Sequence, residues 1–199
     1  MAKSELKKPI ELMVIGGSAG SFNVLLKLIP QIKAPINFAI VIVLHRKSGS
    51  NSSISEVFNF KTSINVLECE DKDAIVAGNI YFAPADYHLL IEKDCTFSLD
   101  YSEKVNFSRP AIDITFKAAA DLYADKMVAV LLSGANSDGA EGMLYVQQKN
   151  GTTIVQDPIS AEIDTMPKEA LSLFEPDFIA DTDELIRLIN NFNLSISDT

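Results

Sequence analysis

Serine, histidine and aspartate are the residue types that together run nucleophilic catalysis without a metal. This chain places one of each just past an apolar run. Ser18 follows Leu12 to Ile15 within LMVIGGSAG (12–20), where Gly16, Ser18 and Gly20 spell G-x-S-x-G. Glycines permit a sharp strand-to-helix corner, small neighbours let the serine project, and the next helix offers N–H groups to a developing negative charge. A serine at a helix start also serves as an N-cap, and the residue types alone leave both uses open. A nucleophile needs a base. The chain has only His45, at the end of FAIVIVL (38–44), and His88, in a region of short strands where a structural hydrogen-bonding role is expected. Asp138 lies in SGANSDG (133–139), after MVAVLL (127–132), although aspartate in N-S-D-G is also ordinary turn chemistry.

The elements that must position these residues alternate. Strands are expected over 12–15, 38–44, 64–67, 127–132 and 152–155. Helices are expected over about 21–33, up to 60, 110–125, 140–149, 166–173 and 182–191. Phe22, Leu25, Leu26 and Ile29 share one face of the first helix, and Ile112, Phe116, Ala119, Ala120 and Tyr123 one face of the third expected helix. Between 74 and 101, short runs at Ile80 to Phe82, Leu89 to Ile91 and Thr96 to Leu99 read as hairpin-like strands at one sheet edge. The whole is an α/β chain: one Rossmann-like, doubly wound, mainly parallel sheet with an antiparallel hairpin region at one edge. In such sheets, ligands bind beyond the carboxyl ends of the strands, which is where Ser18, His45 and Asp138 fall.

Length and composition bound the function. The 199 residues fit one domain, expected over 11–193 between tails at 1–10 and 194–199. A net charge of −10 argues against general nucleic-acid binding or an anionic membrane surface. The apolar runs are too short for a signal peptide or a membrane span, and Cys69 and Cys95 have no metal-like spacing, so a cytoplasmic protein with free thiols is expected. An ordinary α/β-hydrolase runs serine, acid, histidine, whereas here the order is serine, histidine, aspartate. G-x-G-x-x-G is not met at Gly16, and His45 follows the second strand in place of an acidic ribose-binding residue.

Several separated motifs, in one order, resemble the catalytic domain of the chemotaxis protein-glutamate methylesterase (CheB) family. They are IGGSAGS (15–21), Leu44-His45, APADYH (83–88), RPAIDITF (109–116), LSGANSDGAEGM (132–143), and QDP with MPKEAL (156–171). The resemblance implies a serine hydrolase needing neither metal nor organic cofactor, acting on glutamyl methyl esters of chemoreceptors, with glutamine deamidation in some members. It implies Ser18 as nucleophile, His45 as general base and Asp138 as orienting acid. Oxyanion or substrate contacts would come from Ala19, Gly134, Ala135 and Arg46. The partner would be a methylated chemoreceptor or a related signalling protein. The other reading is an altered or silent module that keeps the fold and binds a signalling partner.

The pocket departs from the family pattern. Ala19-Gly20-Ser21 replaces Thr-Gly-Gly after the nucleophile, Ala135 replaces a methionine, and Arg46-Lys47 replaces Met-Pro. Arg46 and Lys47 are expected either to hold an acidic helix beside the site or to be two solvated loop charges. Members of the family often carry a receiver domain ahead of the catalytic one. Here about ten residues precede the first strand and Met1 reads as a natural start, so an uncovered site is expected.

Overall fold

The computed structural model describes residues 9–46 and 54–194. Its main sheet has seven parallel strands: β1 (Leu12–Gly17), β2 (Ala39–Leu44), β3 (Asn65–Glu68), β4 (Asn79–Phe82), then β7 (Met127–Leu131), β8 (Thr152–Gln156) and β9 (Phe178–Ala180). They lie in the order β3-β4-β2-β1-β7-β8-β9. β5 (His88–Ile91) and β6 (Phe97–Asp100) form a separate antiparallel pair. The helices are α1 (Ser21–Leu28), α2 (Ile54–Asn59), α3 (Ile112–Tyr123), α4 (Ala140–Gln148), α5 (Thr165–Leu173) and α6 (Thr182–Leu194). None is long and apolar enough to cross a membrane, among the described residues.

Every residue of β1, β2 and β7 is buried. Apolar side chains on alternating positions therefore feed two cores, one on each sheet face. Ile15, Ile40, Ile42 and Val130 belong to one; Val14, Val41, Val43 and Leu131 belong to the other. That is why these runs are continuously apolar rather than alternating.

Three details differ from the sequence expectation. Ile80 to Phe82 is no hairpin strand: as part of β4 it runs parallel inside the main sheet, between β3 and β2. β9 goes unannounced because it is only three residues long and its Phe178 and Ile179 are not fully buried. The buried face of α1 is Ser21, Val24, Leu25 and Leu28, leaving Phe22 37% exposed. Phe22 packs edge-on against Phe58, with ring centroids 5.7 Å apart, and walls a cavity instead of the core.

β1 is central, with β2 on one side and β7 on the other. The chain leaves β1 in one direction and later crosses to its other side, which creates a crevice at the strand ends. Over β1 lies α3, so close that a Cβ at Gly16 would sit 2.4 Å from Ile112 Cγ2 and 3.2 Å from Phe116 Cζ. Ile112 is buried and β-branched, so it has little room to yield. Gly16→Ala should therefore lower stability by about 1–3 kcal/mol, the usual range for overpacking a core. Chemical denaturation measures this, and an unchanged midpoint would show that α3 lifts freely from the sheet.

Candidate active site

Three neighbouring strands deliver three side chains. Ser18 follows β1, His45 follows β2, and Asp138 lies in the loop after β7. Strand register brings these ends together: Gly17 pairs with Leu44 and Gly16 with Leu131. The turn after β1 is closed by Ser21, whose N–H and Oγ both donate to the Ser18 carbonyl, at 3.1 Å and 2.5 Å. Gly20 has φ +85°, a left-handed angle that glycine adopts without strain. Ser18 donates its N–H to Ser133 O (2.9 Å), which ties the β1 and β7 loops directly.

His45 Nε2 lies 2.7 Å from Asp138 Oδ2. A carboxylate can only accept, so Nε2 carries the proton and Nδ1 is left as the basic nitrogen. Ser18 and His45 line one cavity of about 290 Å³, with Phe22, Leu44, Ile54 and Val57 as its apolar wall. Within the described residues, the hydroxyl in hydrogen-bonding range of Nδ1 is that of Ser108, at 3.4 Å.

Asp138 is fully buried, and burial alone would push its pKa up. The bond from His45 and the N–H groups of Ile112 (2.7 Å) and Asp113 (3.1 Å) outweigh that, and the carboxyl stays below the usual aspartate value. Those two N–H groups open α3, so the acid is seated at the positive end of a 12-residue helix. His88 occupies the same helix start. Its Nδ1 accepts the Ala111 N–H (3.1 Å) and its Nε2 donates to Glu103 O (2.9 Å), which uses both nitrogens and leaves it no task as a base.

Comparison with known proteins shows what this arrangement is similar to. Residues 13–189 match the family model described as CheB methylesterase. The chain belongs to the CheB methylesterase family. The structure superposes on the crystal structure of the Thermotoga maritima CheB methylesterase catalytic domain with a TM-score of 0.87 at 30% identity, covering 92% of this chain and 98% of that one. A Leptospira interrogans protein, provisionally named protein-glutamate methylesterase/protein-glutamine glutaminase, is 40% identical over 89% of this chain and 92% of its own length. The enzyme of that name from Thermotoga maritima is 33% identical, and the chain spans 50% of its length.

The Gly134 N–H is already donated to Ile163 O (3.1 Å), so it is no free oxyanion donor. The backbone N–H groups of Ala19 and Ala135 remain as candidates. The Ala19 carbonyl accepts from Ser133 Oγ (2.8 Å), which pins that corner of the turn. Arg46 lines both cavities that His45 borders. Its guanidinium pairs with Glu68 and donates to Ala83 O (3.0 Å), so its charge is committed within the fold. Lys47 lies outside the described residues.

Four residues that shape the site went unassigned in the sequence reading: Asn106, Ser108, Asp113 and Gln156. Gln156 accepts the N–H of the buried Ser133 (2.8 Å). Asp113 accepts from the N–H groups of Gly139 (3.0 Å) and Gly142 (2.6 Å). Asn106 Nδ2 donates to Asp113 (2.9 Å) and to Asp138 (3.3 Å), bridging two carboxylates. The one available signal was a charged residue inside the apolar face of α3, in I-D-I-T-F.

Burial, opposed by the Gly142 N–H and reinforced by the charge of Asp138, raises the Asp113 pKa to about 6. An acid with a raised folded-state pKa binds more protons in the native state than in the unfolded one. Its contribution to stability therefore falls as pH rises from about 4 to about 6 and stays lost above that. Asp113→Asn removes this titration while keeping an acceptor for Gly139 and Gly142, although it sacrifices the Asn106 bond. The variant's stability should decline less across that window than the wild type's, as read from denaturation midpoints. Equal slopes would show that Asp113 does not titrate there.

Proposed function

We propose that this chain is a serine esterase of the protein-glutamate methylesterase type, with Ser18 as nucleophile, His45 as general base and Asp138 as its orienting acid. Its substrates are glutamyl methyl esters, and glutamine side-chain amides by the same chemistry, on a methylated chemoreceptor or related signalling protein. The observation that carries this reading is the His45–Asp138 pair, which leaves Nδ1 as the basic nitrogen of a residue that lines one cavity with Ser18. The named activities of the relatives support the choice of ester.

In this mechanism, His45 Nδ1 takes the Ser18 hydroxyl proton as Oγ attacks the ester carbonyl carbon. Nδ1 exchanges its Ser108 contact for Ser18 at this step, since catalytic hydrogen bonds tighten only once substrate is bound. Asp138 stabilises the imidazolium that results. The N–H groups of Ala19 and Ala135 face the tetrahedral oxyanion. Collapse of that intermediate breaks the C–O bond, and the proton on Nδ1 leaves with methanol. Water, deprotonated by Nδ1, then attacks the glutamyl-serine ester and releases a glutamate carboxylate and free Ser18.

A fluorophosphonate probe should label Ser18 and no other residue, and His45→Ala should abolish the labelling; mass spectrometry of the labelled peptide decides this. Ser18→Ala and His45→Ala should each reduce hydrolysis of a glutamyl methyl ester peptide by at least about 10³-fold. Asp138→Asn should cost on the order of 10²–10⁴-fold, because the amide favours the wrong imidazole tautomer. Full activity in Ser18→Ala would remove the nucleophile assignment.

A further inference from the structure

We infer that the turn at 105–108 is a substrate-holding element, and that Phe107 is a specificity-determining residue whose ring packs on an apolar side chain of an acidic segment beside the reacting ester. This rests on the esterase reading above for the position of the ester, and the experiment below separates the two.

Phe107 is 97% exposed. Exposure alone means little, for Phe60 and Ile159 are exposed to 92% and 94%. What sets Phe107 apart is how it is held. Val105 and Ser108 exchange both backbone hydrogen bonds, at 3.2 Å and 2.9 Å, so Asn106 and Phe107 are the two central residues of a tight turn. Both have positive φ, 50° and 61°, as a type I′ turn requires. The second central position of that turn favours glycine, and a phenylalanine there carries backbone strain. Neither Phe60 nor Ile159 has a positive φ.

The strain is held in place by the active site itself. The Asn106 amide is anchored on Asp113 and Asp138, and Ser108 Oγ faces His45 Nδ1. The aromatic tip is thereby registered to the candidate catalytic pair. Strained residues persist where the surroundings over-determine them, and they cluster at functional sites.

The surroundings name the partner's chemistry. Phe107 borders a cavity of about 580 Å³ that opens beside His45 and is lined also by Lys104, Arg109 and Asp86. Arg109 hydrogen-bonds two carbonyl oxygens, of Tyr101 (3.1 Å) and Ser102 (2.7 Å), and lies 3.9 Å over the Tyr101 ring. Cations outnumber acids at this rim although the chain as a whole carries a net charge of −10. An exposed ring flanked by cations fits a segment presenting an apolar side chain next to carboxylates.

The test uses a synthetic peptide with one glutamyl γ-methyl ester flanked by leucine and glutamate, and p-nitrophenyl acetate as a small ester. Binding is read by fluorescence anisotropy with Ser18→Ala as the parent, so that no turnover is needed. Phe107→Gly, in that background, should weaken peptide binding about tenfold, the scale of truncating an interface aromatic. Its thermal midpoint should hold or rise, because glycine relieves the turn. Phe107→Leu should bind better than Phe107→Gly. Replacing the flanking glutamates by glutamine should weaken binding several-fold. In the Ser18-containing enzyme, Phe107→Gly should slow peptide hydrolysis more than hydrolysis of p-nitrophenyl acetate. Peptide binding that is absent in the parent, or unchanged in Phe107→Gly, overturns the inference, as does equal binding of the glutamine peptide. A parent that binds the peptide through Phe107, from an enzyme that hydrolyses neither ester, sinks the esterase reading alone.

Discussion

The structure depends on a buried negative charge. Asp138 has no solvent exposure, and an ionised carboxylate taken out of water is costly unless donors replace the water. Four groups replace it: the Ile112 and Asp113 N–H groups, the Asn106 amide and the His45 imidazole. Two of these exist only because α3 begins where it does. The start of α3 is set in turn by its packing over β1, where Gly16 leaves room for Ile112 and no other residue would. A small residue in a strand, a helix start and the orientation of an imidazole are thus links in one chain of constraint.

Sheet topology does the rest of the positioning. Residues 18, 45 and 138 are far apart in sequence, yet β2, β1 and β7 are consecutive neighbours in a parallel sheet, so their carboxyl ends open on one crevice. The loops are then cross-tied. Ser133, fully buried, takes the Ser18 N–H on its carbonyl, donates its own N–H to Gln156, and accepts the Ile163 N–H on its hydroxyl (2.9 Å). These bonds join the ends of β1, β7 and β8, which makes the crevice floor rigid in the way preorganised catalysis needs.

His45 stands between two differently built cavities. The one shared with Ser18 is mostly apolar, with Phe22, Ile54 and Val57 on its wall. The other is polar and holds Lys104, Arg109 and Asp86. One imidazole thus borders an apolar space on one side and a charged one on the other, and Arg46 lines both. Membership of the CheB methylesterase family accounts for the shared scaffold.

Much of the fold was legible in residues alone. Continuous apolar runs such as FAIVIVL and MVAVLL read as strands covered on both faces, and the G-x-S-x-G corner after the Leu12–Ile15 run reads as a strand-to-helix turn that presents a serine. Those are local signals, governed by side-chain type and spacing. What only the tertiary structure decided is whatever depends on a partner distant in sequence. Phe22 left the core face of α1 because Phe58 and the cavity claimed it. The short strand at Ile80 to Phe82 became an inner parallel strand because β2 and β3 supplied both its neighbours. Gly134 lost its free N–H to Ile163, and Arg46 its charge to Glu68, through contacts no periodicity announces. Asp113 reads in sequence as a polar interruption of a helix, and it became a buried bridge only when the Gly139 and Gly142 N–H groups folded onto it. Hydrogen-bond partners are satisfied across space, so Ser18, His45 and Asp138 were visible in the sequence as candidates, whereas the donors and acceptors that orient His45 and Asp138 were settled by the packing of α3 against the sheet.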